Sequence, residues 1–126
     1  TTHGGTRNKI LGPHPSPALE EMCSAERQVT KQTPPVFLVH ALDDGVSCAN
    51  SRLMEQACRN KGVPVSLNLY PTGGHGYGME KRGHPTDQWP DAAEQWLKEQ
   101  GFLPSPASAR GGAPSGAVPS SGTRRE

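Results

Sequence analysis

The stretch VFLVHALDDG at residues 36–45 decides the fold, because its pattern predicts a buried strand that ends in an acidic turn. Val36 to Ala41 form a continuous apolar and β-branched run, which is typical of a strand buried on both faces of a sheet. Asp43-Asp44-Gly45 then end the strand with turn-forming residues. The sequence therefore predicts an α/β protein with this strand in its sheet.

A helix and a second strand follow this acidic turn. Ser47 or Asn50 can cap the helix, which we expect to run to about Asn60 with Gly62 after its C-terminus. The apolar residues of this helix fall on one inward side: Leu53, Met54, Ala57 and Cys58. The alternating run from Val63 to Tyr70 predicts the next strand, with Val63, Val65, Leu67 and Leu69 on one face. Strands joined by such a helix are parallel, and two of them alone cannot bury both sheet faces.

The stretch PTGGHGYG at residues 71–78 follows the second strand and places one histidine among glycines. Taken alone, it is either a glycine-rich turn with a solvated histidine or a loop that presents His75 for proton transfer. We expect a last helix from about Asp87 to Gly101. Its apolar stripe has core spacing and consists of Trp89, Ala93, Trp96 and Leu97.

The predicted strands end in an acid and a base. Reacting groups in open parallel sheets collect on loops at the carboxyl ends of the strands. Asp43 and Asp44 follow one such end and His75 follows the next. An aspartate there can accept a hydrogen bond from the histidine ring and stabilise the imidazolium during proton transfer. The pair would form two-thirds of a relay in the chain order nucleophile, acid, histidine.

The chain divides by composition into three parts. Residues 1–33 are polar and contain one short predicted helix from Ala18 to Arg27, with Leu19, Met22 and Cys23 on one side. Residues 34–103 hold the strands and helices described above. Residues 104–126 are rich in Pro, Ser, Ala, Gly and Arg, and we expect a disordered tail there, because such a segment buries too little apolar surface to offset its ordering entropy.

Several kinds of partner are disfavoured by the sequence. The net charge is +1 and there is no long basic cluster, so the sequence does not indicate nucleic acid as a partner. No apolar run approaches the ~20 residues of a membrane span. Three widely spaced cysteines form neither a disulfide framework nor a metal knuckle, and a His75–His84 metal pair lacks a third ligand. We expect no cofactor and no metal.

The remaining polar candidates have ordinary explanations. His40 ends a strand, and we expect its ring to be hydrogen-bonded locally rather than catalytic. Cys48 lies near Asp44 in sequence and reads as a partly buried inert cysteine, although a reactive thiol is the alternative. Tyr77 either lines an acyl pocket or packs over the turn, and the sequence leaves both open.

Together, residues 32–47, Asn50-Ser51 and residues 73–78 resemble the C-terminal part of an α/β-hydrolase. The nearest group is the dienelactone hydrolase-like and acetylxylan or feruloyl esterase-like enzymes, and the resemblance covers about residues 2–103. It implies an open parallel sheet and hydrolysis of a small-molecule or polysaccharide ester. It also implies His75 as the base and Asp44 as the triad acid, with its neighbour Asp43 fixing the turn. The alternative is that Asp43 is the triad acid.

The sequence departs from that family where the nucleophile is concerned. No serine in the 126 residues stands in a Gly-x-Ser-x-Gly elbow, and the oxyanion-hole loop has no counterpart. We therefore expect a C-terminal fragment that is inactive alone and belongs to a serine ester hydrolase. The alternatives are a non-catalytic remnant or interaction module, and the C-terminal part of a prolyl oligopeptidase-type peptidase. The sequence does not predict the compartment or the oligomeric state.

Overall fold

The computed structural model of the protein describes residues 9–104. Residues 1–8 and 105–126 lie outside that part, and with them lies almost all of the predicted tail. The division into segments 1–33, 34–103 and 104–126 stays a prediction.

A two-stranded parallel sheet lies at the centre of the described residues. Strand β1 spans Val36–Ala41 and strand β2 spans Val65–Tyr70. They pair in register from Val36 opposite Val65 to Ala41 opposite Tyr70. The predicted parallel pair is confirmed, and β2 begins two residues later than the alternating pattern suggested.

Within residues 9–104, α-helices precede, connect and follow the two strands. Helix α1 spans Pro17–Cys23 and is followed by a 3-10 turn at Ala25–Arg27. Helix α2 spans Ala49–Lys61 and connects the two strands. Helix α3 spans Trp89–Glu99 after a 3-10 turn at Pro85–Gln88.

The ends of these helices follow the local sequence in part. Proline is favoured in the first turn of α1, where the Ser16 hydroxyl accepts the Leu19 N–H at 3.3 Å. Gly62 ends α2 in the left-handed conformation at φ 71°, as predicted. The prediction of Ser47 or Asn50 as the cap of α2 is wrong, because Cys48 occupies that position without a side-chain capping bond. The Ser47 hydroxyl instead accepts the N–H of Ala49.

Helices α2 and α3 pack on opposite faces of the sheet. The buried residues Val29, Cys58 and Val63 form a small core with Val36, Met54, Ala57 and Val65. Successive strand residues point to opposite faces, so Phe37 points away from this core. Its ring lies 5.4 Å from that of Trp96 on α3. A helix on each face of a parallel sheet is the α/β arrangement that the sequence predicted.

Burial of several side chains differs from the prediction. Val36 to His40 are only half-buried, because the described sheet has two strands. Met22 is 66% exposed and Cys23 is also exposed, so the apolar side of α1 is largely uncovered within residues 9–104. Leu53, expected inside, lies at the margin with 38% exposure. These apolar side chains have too few neighbours within residues 9–104 to be covered.

Within residues 9–104, no helix combines the length and the apolar character needed to cross a membrane.

Candidate active site

The carboxyl ends of β1 and β2 lie side by side and carry the loops of the candidate site. The last residues of the two strands, Ala41 and Tyr70, are paired, and the Leu42 N–H donates to the Tyr70 carbonyl at 2.8 Å. Because the strands are parallel, the acid loop (residues 42–47) and the histidine loop (residues 71–78) leave the sheet at the same edge.

The acid loop folds back on itself and fixes the Asp44 carboxylate. The Asp44 N–H donates to the Ala41 carbonyl at 3.2 Å, which closes a tight turn after β1. The Asp44 Oδ1 accepts the N–H of Val46 at 2.7 Å, an Asx-turn contact that short acidic side chains make readily. The Asp44 side chain is only 10% exposed. Its carboxylate is therefore held by the backbone of its own loop.

Asp44 and His75 are in direct contact. The Nδ1 atom of His75 lies 3.0 Å from Oδ2 and 3.1 Å from Oδ1 of Asp44. A carboxylate only accepts, so Nδ1 carries the proton and donates to Asp44. The His75 side chain is 74% exposed, and Nε2 lies on the side of the ring away from the carboxylate. This arrangement leaves Nε2 turned outward, where it can exchange a proton with another group.

Asp43 connects the acid loop to the histidine loop. Its Oδ1 accepts the Gly74 N–H at 2.8 Å, and its Oδ2 accepts the Gly73 N–H at 3.3 Å. The two neighbouring aspartates thus have different contacts: Asp43 binds the backbone just before His75, and Asp44 binds the ring of His75.

The histidine loop also rests on the segment that leads into α3. Gly73 lies so close to the buried Thr86 that a Cβ atom on Gly73 would be 2.2 Å from Thr86 Cγ2. Only glycine fits at this distance. The indole Nε1–H of Trp89 donates to the Gly78 carbonyl at 2.7 Å. The loop is consequently held at both ends, with His75 between them.

Hydrogen bonds to both carboxylates favour their charged forms. The Val46 N–H is the main reason that the pKa of Asp44 is lowered, and His75 lowers it further, against the opposing effect of burial. The pKa of Asp43 is lowered mainly by the Gly74 N–H. Both groups are therefore acceptors at neutral pH, as an acid that orients an imidazole must be.

Tyr77 lies half-buried beside the candidate pair. Burial raises the pKa of its phenol, and the negative charge of Asp44 raises it further. A protonated phenol near Asp44 fits both interpretations of Tyr77, packing over the turn and lining a pocket.

The other candidates from the sequence lie around this pair. The His40 ring contacts the Val46 carbonyl and the Ser51 hydroxyl, the local hydrogen bonding that we expected. His84 is exposed and precedes the 3-10 turn at Pro85–Gln88. Cys48 is half-buried. Among residues 9–104, no three His, Cys, Asp or Glu side chains come together as metal ligands would.

Two contributors to the site were missed in the sequence. The helical spacing of Trp89 indicated only a core position, and no motif suggested its bond to the histidine loop. Thr86 carried no signal at all, although it is 1% exposed and fixes the position of Gly73. The four glycines of residues 73–78 were the one available hint that this backbone needs close support.

Comparison with known proteins shows which proteins the chain as a whole resembles. The sequence profile of the prolyl oligopeptidase family matches residues 11–101. A stretch of 76 residues is 34% identical to endo-1,4-beta-xylanase B of Butyrivibrio fibrisolvens, covering 60% of this chain and 12% of that protein.

Two solved structures share the fold. An acetyl ester-xyloside bifunctional hydrolase from Caldicellulosiruptor lactoaceticus superposes with a TM-score of 0.74 at 35% identity, over 79% of this chain and 37% of that one. A carboxylesterase from Lactobacillus plantarum WCFS1 gives a TM-score of 0.64 at 28% identity, over 82% and 40% of the two chains. The chain thus spans well under half of each relative. The resemblance to the C-terminal part of an α/β-hydrolase is confirmed.

Proposed function

This chain belongs to the prolyl oligopeptidase family, and we propose that it supplies the acid and the base of a serine hydrolase that cleaves carboxylic esters. The contact between His75 Nδ1 and Asp44 Oδ2, at 3.0 Å, carries the proposal. It is the geometry in which a carboxylate fixes the tautomer of a histidine and leaves Nε2 free for a nucleophile. Asp43 would act on the backbone of the histidine loop and not on the ring.

The proposed reaction uses a serine from outside these 126 residues. His75 Nε2 takes the proton of that hydroxyl while the oxygen attacks the ester carbonyl. Asp44 stabilises the imidazolium that forms, and His75 then returns the proton to the departing alcohol. Water then attacks the acyl carbonyl while His75 Nε2 takes its proton. Transfer of that proton to the serine oxygen breaks the bond between serine and acyl group, which releases the carboxylic acid and restores the serine. No metal or cofactor is needed for any of these steps.

The relatives favour an ester as the substrate. One solved relative is described as an acetyl ester-xyloside hydrolase and the other as a carboxylesterase. We propose a small-molecule ester or an acetyl or feruloyl ester on a polysaccharide. Tyr77, half-buried beside Asp44, would line the acyl side of the pocket.

Replacement of the pair in the complete protein tests this function. Asp44→Asn and His75→Ala should each lower kcat for an acetyl ester by roughly a thousandfold or more, because each removes one member of the proton relay. Circular dichroism should show both variants folded. Asp91→Asn and His14→Ala, on exposed residues, serve as matched controls and should keep full turnover. Near-normal turnover of either test variant would remove that residue from the mechanism.

A peptidase is the second candidate, and the family itself favours it. The matching profile takes its name from a peptidase, and the same acid and histidine can serve amide cleavage. Comparison of kcat/KM for an acetyl ester and for a proline-containing peptide anilide separates the two. Preference for the anilide would assign the chain to a peptidase and would leave the roles of Asp44 and His75 unchanged.

A non-catalytic remnant or interaction module is the third candidate. It is favoured by the lack of a Gly-x-Ser-x-Gly elbow in the 126 residues. The gene product would then hydrolyse neither substrate and would not react with a fluorophosphonate.

A further inference from the structure

His40 lies one residue before the end of β1, and its two ring nitrogens hold different elements. Nε2 lies 2.9 Å from the carbonyl oxygen of Val46 in the acid loop. Nδ1 lies 3.1 Å from the hydroxyl oxygen of Ser51 in the first turn of α2. The imidazole is half-buried and bridges the acid loop and the helix.

These partners define the tautomer of the neutral ring. A carbonyl oxygen can only accept, so Nε2 must carry the proton that it donates to Val46. Nδ1 of the neutral ring is then an acceptor and receives the Ser51 hydroxyl proton. The donor that matters for the acid loop is therefore the Nε2–H of His40.

Val46 is the residue through which His40 reaches the candidate site. Its carbonyl is held by His40, and its N–H donates to the Asp44 Oδ1 at 2.7 Å. Both oxygens of Asp44 face His75 Nδ1, Oδ2 at 3.0 Å and Oδ1 at 3.1 Å. The contacts run without a gap from Ser51 through His40, Val46 and Asp44 to His75.

We propose that His40 is a positioning residue of the acid–base pair, whose ring holds Val46 so that the Val46 amide keeps the Asp44 carboxylate facing His75. This inference rests on the proposed function, because it assigns His40 to the same reaction. The proposed role differs from a merely structural one in what a His40 substitution would change. Loss of a structural His40 would lower stability and leave kcat per folded molecule unchanged, whereas loss of a positioning His40 would lower kcat.

Two amide substitutions separate the nitrogens of the ring. Glutamine places an N–H near the position of Nε2 and can still donate to the Val46 carbonyl. Asparagine reaches only as far as Nδ1, so it can meet Ser51 but leaves Val46 unbound. In the complete protein, we expect His40→Asn to lower kcat about 10- to 100-fold, since small misplacements of catalytic groups have effects of that size. His40→Gln should retain most of kcat, and KM should change little in either variant.

Proton NMR of the same proteins gives a readout independent of turnover. The downfield resonance of the His75 Nδ1–H bonded to Asp44 should persist in His40→Gln and be lost or broadened in His40→Asn. Val63→Ala is the control for destabilisation alone, because it weakens the buried core far from the acid loop. It should lower the melting temperature and leave both kcat and the resonance unchanged.

Equal kcat values for the two His40 variants, or an unchanged resonance in His40→Asn, would overturn the inference. If His40→Asn fails to fold, Ser51→Ala decides, because it leaves the ring with one anchor. We then expect kcat to fall by about two- to tenfold, and an unchanged kcat would contradict the role. The proposed function is tested separately: it fails if Asp44→Asn or His75→Ala keeps near-normal turnover, whatever the His40 variants do.

Discussion

The orientation of the Asp44 carboxylate depends on a backbone amide as much as on His75. The contact with the Val46 N–H, at 2.7 Å, is shorter than either contact with His75, and it is the largest reason for the lowered pKa of Asp44. Asp43 is similarly fixed by the amides of Gly73 and Gly74. Both aspartates therefore join the acid loop to the histidine loop. Asp43 does so through backbone amides and Asp44 through the ring of His75.

These contacts make the stability of the protein depend on pH. The pKa of each carboxyl is lower in the folded protein than is usual for an aspartate, so the charged form is favoured by folding. The resulting stability is present above the unfolded-state pKa and is lost as the pH falls through the folded-state pKa. Urea unfolding between about pH 7 and pH 3 should show this loss in the native sequence. The loss should be smaller in Asp43→Asn and Asp44→Asn, and an identical pH dependence in all three would contradict the assignment.

Gly73 lies in the histidine loop where the neighbouring Thr86 leaves no space for a side chain. An alanine Cβ would lie 2.2 Å from Thr86 Cγ2 and 2.9 Å from Thr86 Cβ, so the backbone itself must move. Gly73→Ala should lower the free energy of unfolding by about 1–3 kcal/mol, measured by urea titration. Thr86→Ala in the same chain should relieve part of that cost. The matched control is Gly45→Ala, where no atom lies within 4 Å of the added Cβ and the effect should be small. Equal effects at Gly73 and Gly45 would show that the close approach is unimportant.

Helix α3 contributes to the site from its first turn. Its stripe packs on the sheet through Trp96 and Phe37, while the indole N–H of Trp89 reaches the Gly78 carbonyl. The two tryptophans lie seven residues apart on one helix and make different contacts. Trp96 packs on the sheet, and Trp89 binds the histidine loop.

Trp89→Phe isolates the loop attachment. Phenylalanine keeps an aromatic ring but cannot donate to Gly78, so we expect a loss of about 1 kcal/mol in the free energy of unfolding. Amide hydrogen exchange should speed up across residues 73–78. Trp96→Phe is the matched control and should leave exchange in that loop unchanged, because its ring contacts lie with Phe37 and Phe102. Faster exchange in both variants, or in neither, would contradict this division.

At the scale of elements, the sequence was most informative where the pattern is local. The bounds of β1 and the C-terminal glycine of α2 were predicted correctly, because an apolar run and a single cap residue determine them. The exposure of Met22 and Cys23 on α1 could not be predicted, since periodicity shows which residues share a side but not what covers that side. The Asp44–His75 contact was inferred from the topology of parallel strands. The supports at Thr86 and Trp89 were not foreseen, since they depend on how loops fold between elements.

At the scale of the whole molecule, the described residues form a sheet of two strands, which is too small to cover the apolar side chains of those strands. Both strands remain half-buried along almost their full length, and each has an outer edge unpaired within residues 9–104. Strands rich in Val and Leu normally lie within larger sheets that cover them. The chain spans 37% and 40% of the two solved relatives.

Reaction of the complete protein with a fluorophosphonate, followed by intact mass, tests the central claim most directly. The reagent labels a serine only when a neighbouring base activates it, so the account predicts one adduct in the native protein. It also predicts that His75→Ala and Asp44→Asn gain little or none in the same time, while Asp91→Asn is labelled as fast as the native protein. A native protein that gains no adduct, or a His75→Ala variant labelled at the native rate, would contradict the assignment of this pair to a serine hydrolase.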